Sequence, residues 1–193
     1  MSRRCAFLDR DGTLNPNPPD HQYLTRAEDF AWLPGAIDGL RTLSAAGFLL
    51  AVVSNQRGVA RGLVDPSVLR QIEARMQSDL TPHGAQFAAF RYCPHDLAAQ
   101  CDCRKPAPGM ILSLARDLQV DLARSWMIGD TESDVAAGAA AGCLTALVSG
   151  AVVLPQSASP DLTTPTIREA ARKIVRWSES QPEEGAKPAT RDS

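Results

Sequence analysis

Residues 5–13 read Cys-Ala-Phe-Leu-Asp-Arg-Asp-Gly-Thr, a short apolar run that ends in two acidic residues. A short apolar run that stops at a polar turn is typical of a strand buried on both faces. Similar runs recur further along the chain, at Phe48–Val53, Phe87–Tyr92, Trp126–Ile128 and Leu144–Val148. These runs predict five buried strands.

Helical patterns follow each of these strands. Apolar residues at helical spacing predict five helices, the last of them over Thr164–Trp177. Asp65-Pro66 has residue types favoured at a helix start, and Gly47 and Gly142 are of the type favoured at helix ends. Because alternating strands and helices build a parallel sheet covered on both faces, we expect an α/β fold with a three-layer, doubly wound, Rossmann-like sheet. Ligands of such sheets bind beyond the carboxyl ends of the strands.

The composition is that of an ordinary globular protein of 193 residues with a formal net charge of -2. This charge argues against a nucleic-acid partner, and the longest apolar stretches are too short to span a membrane. The N-terminus reaches a charged residue too soon for a signal peptide. We expect a cytoplasmic monomer or weak dimer, with one domain over residues 1–177 and a polar, disordered tail over 178–193.

Polar side chains follow the ends of the predicted strands. Asp9 and Asp11 can point the same way because side chains alternate along an extended chain. Two carboxylates at one strand tip suit a hard divalent cation such as Mg²⁺. Ser54 ends the second strand, Asp130 follows the fourth, and Lys105 lies in the loop before the third helix. Carboxylates, a lysine and a hydroxyl together are what phosphoryl transfer requires.

Each of these features could also have a purely structural role, with no part in catalysis. Asp and Gly are common in solvated turns, and Lys105 could be a surface lysine. Asp134 could complete a helix capping box that begins at Thr131, and it could serve both purposes. Four motifs in order, each at a strand end, favour the catalytic interpretation.

A second set of residues has metal-ligand spacing. The pattern C-x-H-x5-C-x-C is formed by Cys93, His95, Cys101 and Cys103. Three thiols and an imidazole can complete a tetrahedral Zn²⁺ site with no position left for water, so the zinc is expected to be structural. It would hold the loop 93–103 that leads into Arg104 and Lys105. The alternative is a metal-free set of thiols in a reducing compartment. Cys5 and Cys143 are expected in the core.

Four segments resemble motifs I to IV of the haloacid dehalogenase-like phosphatases. They are Phe-Leu-Asp9-Arg-Asp11-Gly-Thr-Leu, Val-Val-Ser54-Asn, Arg104-Lys105-Pro and Ile-Gly-Asp130-x-x-x-Asp134. The resemblance spans roughly residues 4–150 and implies that the chain is an enzyme that hydrolyses phosphate esters.

The resemblance also implies roles for single residues. Asp9 would attack phosphorus and form an aspartyl-phosphate, and Asp11 would protonate the leaving alkoxide and then deprotonate the attacking water. Ser54 and Lys105 would hold the phosphoryl oxygens. A catalytic Mg²⁺ would be held by the Asp9 carboxylate, the Asp11 backbone carbonyl and Asp130, with Asp134 orienting these ligands. Asp9 should be ionised at neutral pH, whereas an acid at Asp11 needs a raised pKa.

The zinc loop narrows the resemblance to a zinc-containing branch without a cap domain. This branch includes heptose-bisphosphate and histidinol-phosphate phosphatases. The sequence Asn-Gln-Arg-Gly-Val-Ala-Arg-Gly at residues 55–62 looks like the heptose enzymes, which commonly carry a lysine where this chain has Thr131. The five-residue spacer of the zinc loop looks more like the histidinol enzymes. Substrate contacts are implied for Asp20, His21, Gln22, Tyr23, Asn55, Gln56, Arg57 and Arg104.

The resemblance therefore implies a Mg²⁺-dependent sugar-bisphosphate phosphatase that removes the 7-phosphate of a heptose 1,7-bisphosphate. Its partner would be a small phosphorylated sugar of carbohydrate metabolism. Histidinol-phosphate phosphatase is the alternative among enzymes, and a non-catalytic, zinc-stabilised binding module is the alternative from another class. A DNA 3′-phosphatase shares motif I, but the balanced charge and the zinc loop argue against it.

Overall fold

A computed structural model describes residues 3–19, 22–148 and 159–180. Within these residues the strands form one parallel sheet in the order β3-β2-β1-β4-β5-β6. The strands are β1 (Arg4–Leu8), β2 (Phe48–Asn55), β3 (Phe87–Cys93), β4 (Trp126–Gly129), β5 (Leu144–Val148) and β6 (Leu162–Thr164). The expected doubly wound α/β architecture is confirmed.

Five α-helices cover the sheet in the described part of the chain. They are α1 (Ala36–Ala45), α2 (Pro66–Leu80), α3 (Gly109–Leu118), α4 (Glu132–Ala141) and α5 (Ile167–Ser180). The predicted helix signals have the expected roles: the Asp65 side chain accepts a hydrogen bond from the Ser67 N–H, and Gly142 ends α4 with a φ of 85°. A capping carboxylate and a left-handed glycine satisfy backbone groups that a helix end leaves unpaired.

The core lies in two layers, one on each face of the sheet. Ala6 and Leu8 of β1 pack in the layer that includes α1, α2 and α5, whereas Cys5 and Phe7 pack in the layer that includes α3 and α4. This alternation along one strand is the period-2 pattern of a sheet covered on both faces. Cys5 and Cys143 are both buried in the second layer, as expected.

Small residues let α4 lie close to the sheet. A Cβ added at Gly138 would lie 2.5 Å from the Met127 Cβ, so no larger residue fits there without a shift. Ala137 and Ala141 are buried on the same helix. The close approach brings the N-terminus of α4, and with it Asp134, to the carboxyl end of β4.

The C-terminal part departs from the sequence prediction. Thr164, predicted to start the last helix, lies in β6, and α5 begins at Ile167. This helix continues to Ser180, so residues 178–180 of the predicted disordered tail are helical. The Trp177 ring near the end of α5 packs against Trp126, with ring centroids 5.5 Å apart, which extends the helix's contact with the sheet. Residues 181–193 lie outside the described residues.

Two connections lead away from the carboxyl ends of β1 and β2, beside the predicted motifs. The first, between β1 and α1, contains a short 3-10 turn at Ala27–Asp29, and the second, between β2 and α2, spans residues 56–65. Neither forms a further domain in its described residues, in agreement with the predicted capless architecture. No helix in the described ranges has the length and apolar character needed to cross a bilayer.

Candidate active site

A pocket lies at the carboxyl ends of the parallel strands, where the sequence placed its motifs. The backbone N–H of Asp9 donates to the carbonyl of Ile128, so the chain leaves β1 directly beside β4. The pocket is lined by Asp9, Asp11, Asn17, Ser54, Asn55, Lys105, Thr131, Ser133 and Asp134. The topology brings together residues that are more than a hundred positions apart in the chain.

Lys105 lies at the centre of this group, with its side chain 3% exposed. Its ammonium Nζ lies 2.6 Å from Asp9 Oδ1 and 2.6 Å from Asp134 Oδ1, and it donates to the Val53 carbonyl at 2.9 Å. Burial lowers the pKa of Lys105, but the two carboxylates outweigh this effect and the net pKa is raised. The lysine is therefore a fixed positive charge between two buried negative ones.

Asp9 does not have the low pKa that the sequence suggested. Burial raises its pKa, and the negative charges of Asp134 and Asp11 add to this effect, whereas Lys105 opposes it. Desolvation disfavours the charged carboxylate when no further cation is present. A nucleophile at this position therefore benefits from a second cation in addition to Lys105.

The pKa of Asp11 also differs from the expectation, in the opposite direction. Burial alone would raise it, but the Arg10 guanidinium and hydrogen bonds from Asn15 and Gln56 bring the pKa of Asp11 below its usual value. Arg10 Nε and Nη2 donate to the two oxygens of Asp11 at 3.1 and 2.8 Å. The sequence-based prediction of a raised pKa at Asp11 overlooked this arginine.

Three carboxylates form a group that could hold a metal ion. Ligand atoms of Asp9, Asp130 and Asp134 all lie within 4.8 Å of one another. Asp130 accepts hydrogen bonds from Thr13 Oγ1 at 3.3 Å and Asn17 Nδ2 at 3.0 Å, which fix its orientation. Clustered carboxylate oxygens are the donors that Mg²⁺ prefers, so this set fits that ion.

Glycines make room for these carboxylates. A Cβ at Gly12 would lie 2.1 Å from Asp130 Oδ2, and a Cβ at Gly129 would lie 2.3 Å from Asp134 Cγ. Gly12 also has a φ of 89°, in the left-handed region that other residues rarely adopt. Any side chain at either position would displace a carboxylate from the site.

Asp134 has both of the roles that the sequence allowed. Its Oδ2 accepts from the Thr131 backbone N–H at 3.0 Å and from Thr131 Oγ1 at 2.6 Å, which completes a capping box at the start of α4. Its Oδ1 faces Lys105. The helix cap thus holds the carboxylate in its place in the pocket.

The cysteine and histidine set also comes together. The Sγ atoms of Cys93 and Cys103 lie 3.6 and 3.4 Å from Cys101 Sγ, and His95 Nδ1 lies 3.6 and 3.2 Å from Cys93 and Cys103. Tetrahedral zinc with Zn–S bonds of about 2.3 Å places its sulfur ligands about 3.8 Å apart. The cluster therefore has nearly the size and the chemistry of a structural zinc site. None of the five cysteines forms a disulfide.

The loop after the cluster is fixed to β2 by Asn55. The Lys105 N–H donates to Asn55 Oδ1 at 3.0 Å, and Asn55 Nδ2 donates to the Lys105 carbonyl at 3.1 Å. The Lys105–Pro106 peptide bond is cis. The Asn55 amide, predicted to contact substrate, thus holds the backbone of the central lysine.

Among the other residues predicted to contact substrate, one is buried beside Asp11 and three make contacts outside the pocket lining. Gln56 is buried, and its Nε2 donates to Asp11 Oδ2 at 2.8 Å and to Ser54 Oγ at 3.0 Å. Tyr23 lies outside the pocket lining, and its hydroxyl accepts from Arg57 Nε at 3.2 Å. Half-buried Arg104 reaches the His95 carbonyl at 3.5 Å.

Three further residues were predicted to contact substrate, and the structure describes one of them. Gln22 is exposed, and its backbone N–H donates to the Pro19 carbonyl. Asp20 and His21 lie outside the described residues.

Three polar residues near motif I were not singled out from the sequence. Arg10 and Asn15 contact Asp11, and Asn17 contacts Asp130 and lines the pocket. The two asparagines follow the aspartates within one short loop, and this polar run was the available signal. Nothing in the sequence marks Arg10 as buried.

Comparisons with known proteins agree on one group. The HAD-hydrolase-like family model matches residues 102–170, a range that includes Lys105, Asp130 and Asp134. A protein of Rhodopseudomonas palustris, named D-glycero-beta-D-manno-heptose-1,7-bisphosphate 7-phosphatase, is 44% identical over 147 residues, which cover 72% of this chain and 80% of that protein. The protein of the same name from Escherichia coli strain K12 is 37% identical over 178 residues, or 89% of this chain and 87% of that protein.

A solved structure supports the same grouping. The D,D-heptose 1,7-bisphosphate phosphatase from B. bronchiseptica, complexed with magnesium and phosphate, superposes with a TM-score of 0.79 at 30% identity. The match covers 90% of this chain and 99% of that one.

Proposed function

The chain belongs to the HAD-like heptose-1,7-bisphosphate 7-phosphatase family, and from this membership we propose that it hydrolyses the 7-phosphate of D-glycero-D-manno-heptose 1,7-bisphosphate. As a member it is a phosphoric monoester hydrolase. The observation that supports the proposal most strongly is the position of Lys105 between Asp9 and Asp134 at the strand ends. This arrangement supports the proposal because a carboxylate and a positive charge lie together at the edge of the sheet where ligands of such folds bind.

In the first half of the proposed reaction, Asp9 attacks phosphorus. A new bond forms between its carboxylate oxygen and phosphorus, and the bond from phosphorus to the sugar oxygen breaks. The sugar oxygen takes the bonding electrons and a proton from the carboxyl group of Asp11. Lys105 and Ser54 hold the phosphoryl oxygens, so negative charge on the transferring group meets fixed donors.

In the second half, water attacks phosphorus of the aspartyl-phosphate. Asp11, now a carboxylate, takes a proton from this water, and the bond between phosphorus and Asp9 breaks. The products are inorganic phosphate and the original Asp9 carboxylate. Asp11 ends the cycle with the proton that it took from water. The negative charge of the next bound phosphate favours this protonated form and opposes the effect of Arg10 on the pKa of Asp11.

Mg²⁺ is the cofactor that we propose for this pocket. Asp9 and Asp130, together with the Asp11 backbone carbonyl, would hold the ion, and Asp134 would orient them through its contacts with Lys105 and Thr131. When bound, Mg²⁺ neutralises charge on the phosphoryl oxygens and on the nucleophile.

Zn²⁺ is the second metal in the proposal, with a structural role. The four ligands of the 93–103 loop leave no open position for a reacting molecule. The zinc would fix the segment that leads into Arg104 and Lys105. Five free cysteines suit a reducing compartment, and a cytoplasmic location is part of the proposal.

Phosphate release in the presence of Mg²⁺ tests the proposed function. We expect a higher kcat/KM for heptose 1,7-bisphosphate than for histidinol phosphate or fructose 1,6-bisphosphate, with heptose 1-phosphate as the product. A preference for histidinol phosphate would overturn the substrate assignment. No release from any phosphomonoester would instead indicate a binding module.

A further inference from the structure

We propose that Arg10 is a positioning residue for phosphoryl transfer, because its guanidinium holds the Asp11 carboxylate where it can serve the leaving oxygen. This inference rests on the proposed phosphatase function. It assigns a role to the middle residue of the Asp9-Arg10-Asp11 sequence, which was not among the predicted site residues.

Arg10 is 1% exposed, which is unusual for an arginine. Its Nη1 is buried and has no hydrogen-bond partner among the described residues, although the guanidinium carbon lies 6.0 Å from the centroid of the Tyr92 ring. Burial of an incompletely paired guanidinium costs free energy, and apolar side chains of similar volume often stabilise a fold better. The direct contact between Arg10 and Asp11 adds a role at the adjacent pocket to any effect on fold stability.

The backbone brings the Arg10 side chain to its neighbour. Side chains of successive residues point to opposite sides of an extended chain, so Arg10 and Asp11 would not meet within a strand. Here the chain turns directly after β1, since the N–H groups of Leu14 and Asn15 donate to the Arg10 carbonyl at 2.8 and 3.1 Å. The Arg10 backbone thus holds the turn that follows β1, and its side chain holds the Asp11 carboxylate.

Four donors surround the Asp11 carboxylate. Oδ1 accepts from Arg10 Nε and from Asn15 Nδ2, at 3.1 and 2.9 Å. Oδ2 accepts from Arg10 Nη2 and from Gln56 Nε2, both at 2.8 Å. A carboxylate has about four acceptor positions, so the protein fills them all. Of these donors, only Arg10 contacts both oxygens and only Arg10 is charged.

This arrangement gives the donors different roles in the reaction. When Asp11 carries a proton toward the leaving group, the oxygen that bears the proton has to turn away from its amide donor. That donor is Asn15 for Oδ1 or Gln56 for Oδ2. The bidentate guanidinium keeps the carboxylate in place during this exchange, since two parallel bonds fix its plane. Without Arg10, each oxygen keeps a single neutral donor and the carboxylate can pivot. A misplacement of about 1 Å can cost roughly a hundredfold in rate.

Leaving-group dependence separates positioning of Asp11 from a general structural effect. A sugar alkoxide is a poor leaving group and needs the proton from Asp11, whereas p-nitrophenolate leaves without one. The value of kcat/KM reports the steps through the first phosphoryl transfer, in which Asp11 acts as the acid. A mispositioned Asp11 therefore lowers kcat/KM on the sugar phosphate more than on p-nitrophenyl phosphate.

The test compares Arg10→Met and Arg10→Lys with Arg4→Met and Arg4→Lys. Arg4 is a matched control because it lies at the opposite end of β1, where its guanidinium packs over Phe48. We expect Arg10→Met to lose about tenfold or more kcat/KM on heptose 1,7-bisphosphate beyond its loss on p-nitrophenyl phosphate. A lysine cannot make the bidentate contact, so Arg10→Lys should show the same split. The Arg4 variants should keep the wild-type ratio of the two substrates.

Thermal unfolding of each variant reports its fold. If Arg10→Met does not fold, Arg10→Lys carries the comparison, since it retains a buried positive charge. Equal losses on the two substrates, or no loss, would overturn the positioning role while wild-type activity upholds the phosphatase. Absence of phosphate release by the wild type would overturn both proposals.

Discussion

At the scale of single residues, the pocket depends on one lysine between two carboxylates. The ammonium of Lys105 lies 2.6 Å from each of Asp9 and Asp134, and all three side chains are buried. Oxygens of the two buried carboxylates lie within 4.8 Å of each other, so the carboxylates repel each other unless a cation lies between them. The same group of charges is thus a condition for the fold of the site and, in the proposed reaction, it also holds the phosphoryl group.

Replacement of Lys105 by methionine tests this dependence. We expect the free energy of unfolding to fall by about 3 kcal/mol, since two buried carboxylates lose their partner. Mg²⁺ should reduce this loss, because the carboxylates of the folded variant bind the ion more tightly once the positive charge of Lys105 no longer repels it. Urea unfolding with and without Mg²⁺ measures both effects.

Lys173→Met is the matched control for that experiment. Lys173 is exposed on α5, so its replacement should change the free energy of unfolding by less than about 0.5 kcal/mol. Equal stabilities of Lys105→Met and the control would contradict the role given to Lys105.

At the scale of elements, the loop between β3 and α3 connects the cysteine cluster with the pocket. The cluster brings residues 93–103 together, and Asn55 holds the next segment to β2 through both backbone groups of Lys105. The start of α3 follows at once, with the Gly109 N–H donating to the Asp102 carbonyl at 3.0 Å. Each of these contacts restricts the path of the loop that carries the lysine.

Removal of one proposed zinc ligand tests this element. We expect wild type to hold about one zinc ion per chain and Cys101→Ser to hold much less, with a lower unfolding temperature. Cys143→Ser is the control, because Cys143 is a buried cysteine outside the cluster and its variant should keep the zinc. Metal analysis after gel filtration measures the zinc content of each protein, and thermal unfolding measures its stability. Equal zinc content in wild type and Cys101→Ser would refute the site.

At the scale of the whole molecule, the strand order explains where the site lies. The order β3-β2-β1-β4-β5-β6 changes direction between β1 and β4. Connections from these two strands leave toward opposite sides, which opens a crevice at their carboxyl ends. Asp9 follows β1 and Asp130 follows β4, so the proposed magnesium ligands flank this crevice.

Much of this fold was predictable, because five of the strands are continuous apolar runs with helices between them. The sixth, β6, covers only Leu162–Thr164, too short for a pattern to show. It is fixed by a tertiary contact: Asp161 Oδ2 accepts from the Thr145 N–H at 2.8 Å. Such a contact between segments distant in sequence leaves no mark on local periodicity.

The residues of the pocket were likewise predicted by type, but their electrostatics were not. Arg10 stands between two aspartates and looks like an exposed charge, and only the turn after β1 directs it into the protein. The pKa directions of Asp9 and Asp11 follow from burial and from that arginine. Burial and ion pairing are properties of the folded chain, so the sequence alone could not supply them.

The central claim is that Asp9 carries the phosphoryl group between the two halves of the reaction. The most direct measurement is mass analysis of acid-quenched enzyme during turnover of the heptose bisphosphate. We expect one phosphoryl group on the peptide that contains Asp9. We also expect that Asp9→Asn forms no such adduct, keeps its fold and loses about 10⁴-fold or more of kcat. A phosphoryl group on another residue, or full turnover by Asp9→Asn, would contradict it.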